Sequence, residues 1–197
     1  MKKIHLLLMC CIAFLYSQDV FSQAVKTYPD HLSVPGPLAF DGKSYNLAWS
    51  ANPSANYYKQ EYITKGDNVE KFKSMILLEV LAGDAKVKDI VAAKLEELKK
   101  MKAANPIVNY EVFQKDGEFI LDFLLSANSA DGRSIDILER NVYRYKSLSG
   151  QKGVVLFAVS TRAYGAEAEK FLVNLKATKS RLVNAVAQFA FPAVKIK

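Results

Sequence analysis

Cysteine is almost absent from this sequence, which contains only Cys10 and Cys11. Both lie in an N-terminal apolar run, so a chain that has lost this run contains no cysteine at all. Such a chain forms no disulfide, offers no thiolate nucleophile and has no cysteine ligand for a metal ion. A hydrophobic core must therefore hold the fold together.

Histidine is equally scarce, with His5 in the apolar run and His31 in a polar stretch shortly after it. Histidine is the usual base of nucleophilic triads and a common metal ligand. The glycine patterns that bind phosphates, GxGxxG and GxxxxGK[ST], do not occur. The sequence therefore indicates no catalytic residue, no cofactor and no metal site.

Residues 1–22 have the layout of a secretory signal peptide. Two lysines precede an apolar run from Ile4 to Tyr16, and Val20 and Ser22 suit the positions three and one before a cleavage site. The run is shorter than the roughly 20 residues that a membrane-spanning helix needs. We therefore expect cleavage before Gln23, no transmembrane segment after cleavage, and a protein exported to the periplasm or the extracellular space.

The charge is moderately basic, with a formal net charge of +7. Loss of two lysines and one aspartate with the signal peptide lowers it to +6. The densest basic group, Lys99 to Lys102, closes a predicted helix, where cations interact favourably with the helix dipole. No nucleic-acid module accompanies the charge, so we do not expect nucleic acid as a partner.

The remaining chain has the length of one domain. Residues 23–37 are mostly polar and contain Pro29-Asp30 and Pro35-Gly36-Pro37, which predicts a flexible segment leading into the domain. Residues 38–197 are predicted to form a single α+β domain. A helix capped by Asp84 and stopped at Asn105-Pro106 is the clearest element in it.

The strand pattern predicts a mainly antiparallel sheet of about six to seven strands with helices packed on it, as an α/β/α sandwich. Strong turn signals support this prediction, above all Lys115-Asp116-Gly117 between two apolar runs. A second helix is predicted from Ala166 to about Gln188. The predicted strands are Leu38 to Phe40, Ser44 to Trp49, Tyr57 to Ile63, Met75 to Leu81, Ile107 to Gln114, Glu118 to Leu125, Ser134 to Tyr145 and Gly153 to Thr161.

This order of elements, over most of Leu38 to Gln188, resembles the PsbP-like fold, a group named for a photosystem accessory protein. The run Tyr57-Tyr58-Lys59-Gln60-Glu61-Tyr62 before the Lys65-Gly66 turn adds to the resemblance. Members of that group are exported or organelle-lumen domains, and most serve as non-catalytic accessory or binding proteins. The resemblance implies a binding module, and it carries no functional residue across to this chain.

Aromatic and basic residues alternate in the run from Arg140 to Tyr145. Since side chains alternate along a strand, Tyr143 and Tyr145 are expected on one face and Arg140 and Arg144 on the other. Tyrosine and arginine are enriched at binding hot spots. The alternative is that a helix covers the tyrosines and leaves their hydroxyls at its rim. The candidate binding surface comprises Arg140, Tyr143, Arg144, Tyr145, Arg162, Tyr58 and Tyr62.

The sequence thus favours an exported, non-enzymatic binding or accessory domain that contacts an unknown protein or envelope component through an aromatic and basic sheet surface. The alternative function is a carboxylate-based hydrolase acting on a glycan or an ester, which needs two carboxyl groups about 5 to 10 Å apart in a cleft. Acids available on predicted strands are Glu61, Asp122, Asp136 and Glu139. A third possibility is a self-associating envelope protein, since the sequence leaves the oligomeric state open.

Overall fold

The computed structural model describes residues 27–197. The predicted signal peptide, residues 1–22, lies outside the described residues. Within residues 27–197 the chain forms eight strands and two helices. In chain order they are β1 Leu38–Phe40, β2 Lys43–Ser54, β3 Tyr57–Ile63, β4 Ser74–Ala82, α1 Val87–Ala104, β5 Asn109–Lys115, β6 Glu118–Asn128, β7 Ile135–Ser147, β8 Gly153–Tyr164 and α2 Glu167–Gln188.

All eight strands lie in one sheet in the order β1-β2-β3-β4-β8-β7-β6-β5, and every neighbouring pair is antiparallel. The predicted α+β class and antiparallel sheet are therefore confirmed. The predicted count of six to seven strands is wrong, because the short hairpin β1–β2 extends the same sheet instead of standing apart from it.

Two local predictions are corrected by the structure. Strand β2 continues to Ser54, beyond its predicted end at Trp49, and Pro53 is tolerated there because β1 pairs only with the start of β2. Helix α1 is not capped by Asp84. It begins at Val87 without a side-chain cap, and the Asp84 carboxylate instead accepts a hydrogen bond from Lys152 at 2.7 Å.

The turn between β5 and β6 has the geometry that its sequence predicts. Asp116 and Gly117 have φ angles of 51° and 79°, so both residues adopt the left-handed conformation of a type I′ hairpin turn. This turn fixes the register in which Lys115 lies opposite Glu118 and Phe113 lies opposite Ile120. The hairpin therefore forms the outer end of the sheet, with β5 as its last strand.

The two helices pack on opposite faces of the sheet, which gives the three layers expected from the sequence. Val91 and Leu98 of α1 pack on a cluster that includes Leu77, Leu121 and Leu156. We call this side the α1 face. On the other side, the α2 face, Leu182 and Val186 of α2 pack on a cluster that includes Ile76, Val142 and Phe157. Alternate residues along each strand thus pack into two separate cores, one on each face of the sheet.

Part of the segment predicted to be flexible contributes to the core of the α2 face. Leu32 is fully buried and Val34 is 5% exposed. The Gln60 side chain accepts a hydrogen bond from the Leu32 amide at 3.0 Å and donates one to the Val34 carbonyl at 3.2 Å. The Tyr62 hydroxyl donates to the same carbonyl at 2.7 Å. The packed part of the domain therefore begins before Leu38.

The C-terminal tail runs beside this segment. The Lys195 and Lys197 amides donate to the carbonyls of Leu32 and His31, each at 3.0 Å. Val194 and Ile196 pack against the same core cluster as Leu32. The two terminal segments together cover the part of the α2 face beside β3, next to the area that α2 itself covers.

Gly153, at the start of β8, has a φ of 145°, and a Cβ added there would lie 2.6 Å from the Leu81 carbonyl oxygen. We therefore expect Gly153→Ala to lower the free energy of unfolding by roughly 2 kcal/mol or more. The control is Gly150→Ala, since Gly150 has a φ of 79° with nothing within 4 Å of its added Cβ. That change should cost only about 1 kcal/mol of backbone strain. Urea denaturation measures the free energy of unfolding of both variants. Equal losses would contradict a steric clash between the added Cβ at position 153 and the Leu81 carbonyl.

Candidate functional site

Four tyrosines of the predicted binding surface are covered by other parts of the chain. Tyr58 is 9% exposed and Tyr62 is fully buried, both in the core of the α2 face. Tyr145 is 4% exposed and belongs to the cluster under α1. The Tyr143 ring contacts the Phe123 ring edge-on at 4.8 Å, and burial raises the pKa of Tyr143 well above its ordinary value. The tyrosines therefore stabilise the core, which for Tyr143 and Tyr145 is the alternative that the sequence left open.

Arg162 lies on the α1 face, apart from the other predicted arginines. Its guanidinium pairs with the Glu139 carboxylate and lies over the Phe72 ring at 4.1 Å. Glu139 also accepts a hydrogen bond from the buried Asn141 at 2.8 Å, and Asn141 accepts one from Ser160 at 2.5 Å. Arg162 thus completes a polar network within the sheet, and the seven predicted residues do not form one exposed surface.

Arg140 and Arg144 of β7 share the α2 face, as the strand alternation predicts. Arg140 is 3% exposed and donates two hydrogen bonds to Asp122, at 2.9 and 3.0 Å, and one to the Lys179 carbonyl at 2.8 Å. Arg144 donates to Glu118 at 2.7 Å and to the carbonyls of Val186 and Phe189. Both arginines therefore lie under α2 and bind its backbone.

A groove runs between α2 and the outer hairpin of the sheet, and the two arginines lie along it. It consists of two cavities of about 510 and 420 Å³. The ion pair between Lys179 of α2 and Glu111 of β5 lines the first of them. We call this feature the α2–β5 groove. The first cavity is lined by residues that include Ile107, Leu124, Arg140, Leu172, Leu175 and Lys179. The second is lined by residues that include Phe113, Lys115, Ile120, Arg144 and Val183.

Four of the five large exposed apolar side chains of residues 27–197 lie on the strand and helix that form this groove, and the fifth, Met101, lies in the last turn of α1. The four are Val112 and Phe113 on β5 and Leu172 and Val173 on α2, of which Phe113 and Leu172 line the cavities. Single apolar side chains scattered over a surface are ordinary in proteins, whereas a concentration at one edge marks an interaction site. This edge is therefore the best candidate for a binding surface.

Glu61 and Asp122, two of the acids considered for hydrolysis, lie on opposite faces of the sheet. Glu61 lies on the α1 face, where Lys59 approaches it at 3.2 Å, whereas Asp122 lies on the α2 face and is paired with Arg140. Glu79 lies beside Glu61, at 3.8 Å from the same lysine. Burial raises the pKa of Glu79, against the opposing effects of hydrogen bonding to Tyr57 and the charge of Lys59. The predicted acids Glu61 and Asp122 are thus separated by the sheet itself.

Two further observations hold for residues 27–197. Neither α1 nor α2 combines the length and the apolar composition that a membrane-spanning helix requires. In the same range, no three histidine, cysteine, aspartate or glutamate side chains come together as they do around a metal ion.

A protein-family model matches residues 32–191 of this 197-residue chain. The chain belongs to this family. The matched region begins at Leu32, the first buried residue of the described chain, and it ends at Phe191, whose ring lies 4.9 Å from the Arg144 guanidinium. All residues that line the α2–β5 groove fall within this family region. No curated protein matches the chain.

Sequence reasoning missed the residues of the family region that form the groove walls. Glu111 and Lys179 are 68 positions apart, so nothing local in the sequence indicates that they meet. A signal did exist in Val112-Phe113, because two adjacent apolar residues on a strand place one side chain on each face. On a last strand that α2 does not cover, both side chains remain exposed.

The buried ion pair of Arg140 and Asp122 leads to a prediction for stability. Arg140→Met leaves the Asp122 carboxylate buried without its counter-charge, and we expect the free energy of unfolding to fall by about 3–5 kcal/mol. The double variant Arg140→Met/Asp122→Leu removes both charges and should recover most of that loss. Urea denaturation of both proteins tests this. If the single and the double variant lose equal free energy of unfolding, the loss comes from packing or from the missing hydrogen bond to the Lys179 carbonyl, and not from the unpaired charge of Asp122.

Proposed function

We propose that this protein is an exported, non-enzymatic binding domain that contacts a protein partner of the cell envelope through the α2–β5 groove. The proposal keeps the accessory role implied by the resemblance to the PsbP-like group. The observation that carries it is the concentration of exposed apolar side chains on the strand and helix that form the groove walls.

The lining of the groove favours a protein partner. Leu172 and Leu175 in one cavity, and Ile120 and Val183 in the other, supply apolar surface over much of its length. Protein interfaces typically combine an apolar centre with a polar rim, and an amphipathic helix or an extended segment fits such a groove. The charged side chains of this groove would then contribute hydrogen bonds at the rim.

The paired state of those charges argues against a small charged ligand. Arg140 is neutralised by Asp122, Arg144 by Glu118 and Lys179 by Glu111. A free anion would have to displace a carboxylate from each guanidinium, whereas an apolar side chain can be buried in the groove without breaking any ion pair. With its two arginines and Lys179 already paired, the groove therefore suits a partner that supplies apolar surface.

The groove can be tested by placing a charge on its wall. Leu172 is 42% exposed on α2, so Leu172→Glu should leave the fold intact and place a carboxylate where the partner's apolar surface must be buried. In a crosslinking pull-down from the envelope fraction of the source cell, we expect recovery of the partner to fall about tenfold or more.

The matched control introduces the same charge on the other helix. Ala92 is exposed on α1, on the opposite face of the sheet, and Ala92→Glu should leave recovery of the same partner unchanged. Quantitative mass spectrometry of the three eluates compares them. Equal recovery with both variants, or no protein recovered at a stoichiometric yield with the unchanged chain, would contradict the proposal.

Export is tested by the N-terminus of the protein recovered from the cell. We expect intact-mass analysis of the exported protein to match residues 23–197. Ser22→Phe should block cleavage, because a bulky side chain does not fit the position before the cut. Ser17→Phe, outside the recognised positions, should be cleaved normally. An unprocessed protein that stays in the cytoplasm would refute the proposed localisation.

A further inference from the structure

Strand β5 presents a free edge. Among residues 27–197 it has one neighbouring strand, β6, so the backbone groups on its outer side face away from the sheet. The edge is seven residues long and contains no proline, and its central residues Val112 and Phe113 are 40% and 42% exposed. Natural proteins usually shorten, charge or cover such an edge, because it pairs readily with another strand.

We propose that this edge is occupied by β5 of a second copy of the chain, in an antiparallel pairing about a two-fold axis at Phe113. In this register Glu111 of each copy, which already binds Lys179 of its own chain, lies opposite Lys115 of the other. The two Phe113 side chains lie opposite each other. The inference goes beyond the proposed function, because it concerns the outer backbone edge of β5, although Glu111, Phe113 and Lys115 also line the α2–β5 groove.

The charges of β5 select this register over its neighbours. A two-fold axis perpendicular to the sheet places the α2 faces of both copies on the same side. Odd-numbered residues of β5 can therefore lie opposite only odd-numbered residues, and even-numbered residues opposite even-numbered ones. Centring the pair on Glu111 would oppose two glutamates, and like charges directly opposite are destabilising. Centring it on Val112 would place Glu111 opposite Phe113. Only the Phe113 centre pairs Glu111 with Lys115, and the symmetry forms that pair twice.

The apolar residues of β5 fit the same arrangement. On the α2 face, two half-exposed Phe113 rings meet at the axis, and aromatic pairs across strands are among the stabilising ones. On the α1 face, Val112 lies opposite Gln114, so its exposed surface is covered by the stem of a long side chain. The pairing thus covers two of the exposed apolar side chains and satisfies the free backbone groups.

Such a pairing would join two eight-stranded sheets into one continuous sheet. Because the axis is perpendicular to the sheet, the α2 helices of both copies lie on the same face. The two α2–β5 grooves then lie on either side of the axis and open side by side. A dimer of this kind presents two identical binding sites to a partner, which raises the avidity for a repetitive or dimeric partner.

Sedimentation equilibrium of the exported protein over a wide concentration range tests the pairing. We expect a monomer–dimer equilibrium, and Lys115→Glu should raise the dissociation constant about tenfold or more, because it opposes Glu111 with a second acid at two symmetric positions. Glu111→Lys opposes Lys115 with a second lysine and should act in the same direction, although it also removes the carboxylate that Lys179 binds. The double variant Glu111→Lys/Lys115→Glu restores opposite charges and should bring dimerisation back to within about threefold of the unchanged protein.

A cysteine at the axis provides an independent test. With Phe113→Cys the two thiols meet across the dimer, so mild oxidation should give a disulfide-linked dimer. Val173→Cys, at a position 78% exposed on α2, is the control, and the unchanged protein reports any linkage through Cys10 or Cys11. Faster linkage at position 113 than at position 173 supports the axis, whereas equal rates contradict it.

The outcomes separate this inference from the proposed function. A protein that stays monomeric at every concentration, or a double variant that does not recover dimerisation, overturns the β5 pairing even where Leu172→Glu still abolishes partner capture. Dimerisation that persists in Leu172→Glu supports the pairing independently of the groove.

Discussion

Helix α2 is held on the sheet by two arginines that reach its backbone from β7. Arg140 donates to the Lys179 carbonyl in the middle of the helix, and Arg144 donates to Val186 and Phe189 at its end. The last carbonyls of a helix have no partners within the helix, and α2 has no basic residue in its last turn. The sheet supplies the missing cation. Because these contacts fix where α2 lies over β7, they also determine that β5 stays uncovered and that a groove forms.

The placement of two guanidinium groups beneath a helix carries an electrostatic cost, which strand β6 offsets. Asp122 and Glu118 lie on the same face as the arginines, and each binds the nearest one. Removing a charge from water is expensive unless a partner compensates it. In these two ion pairs the charges of the arginines and the acids cancel, so the floor of the groove is polar but carries no net charge. Binding of the proposed partner there would depend on shape and apolar area more than on attraction between charges, and its affinity would vary little with salt.

Local patterns were sufficient to predict both helices, the outer hairpin and the faces of β7. They were not sufficient to predict which residues form the groove or which of the predicted site residues are exposed. Tyr143 and Tyr145 share a face as predicted, but whether that face is covered depends on α1, about forty residues earlier in the chain. The burial of Leu32 depends on Gln60, and the groove depends on Lys179 meeting Glu111. Each of these contacts joins distant segments, so composition and periodicity in one window carry no signal for them. The strand count failed for the same reason, since nothing local shows that β1 and β2 join the main sheet.

The pairing of the two terminal segments has a consequence for how the molecule is oriented. Lys195 and Lys197 bind the segment that Gln60 anchors on β3, and four strands separate β3 from β5 in the sheet. Position 197 and the residues near position 30 therefore lie together at one side of the molecule, while the free edge lies at the other. A tether attached at either of these positions would hold the protein on the side away from β5. An immobilised or surface-linked copy would then display β5 and the adjoining groove outward, accessible to whatever approaches from solution.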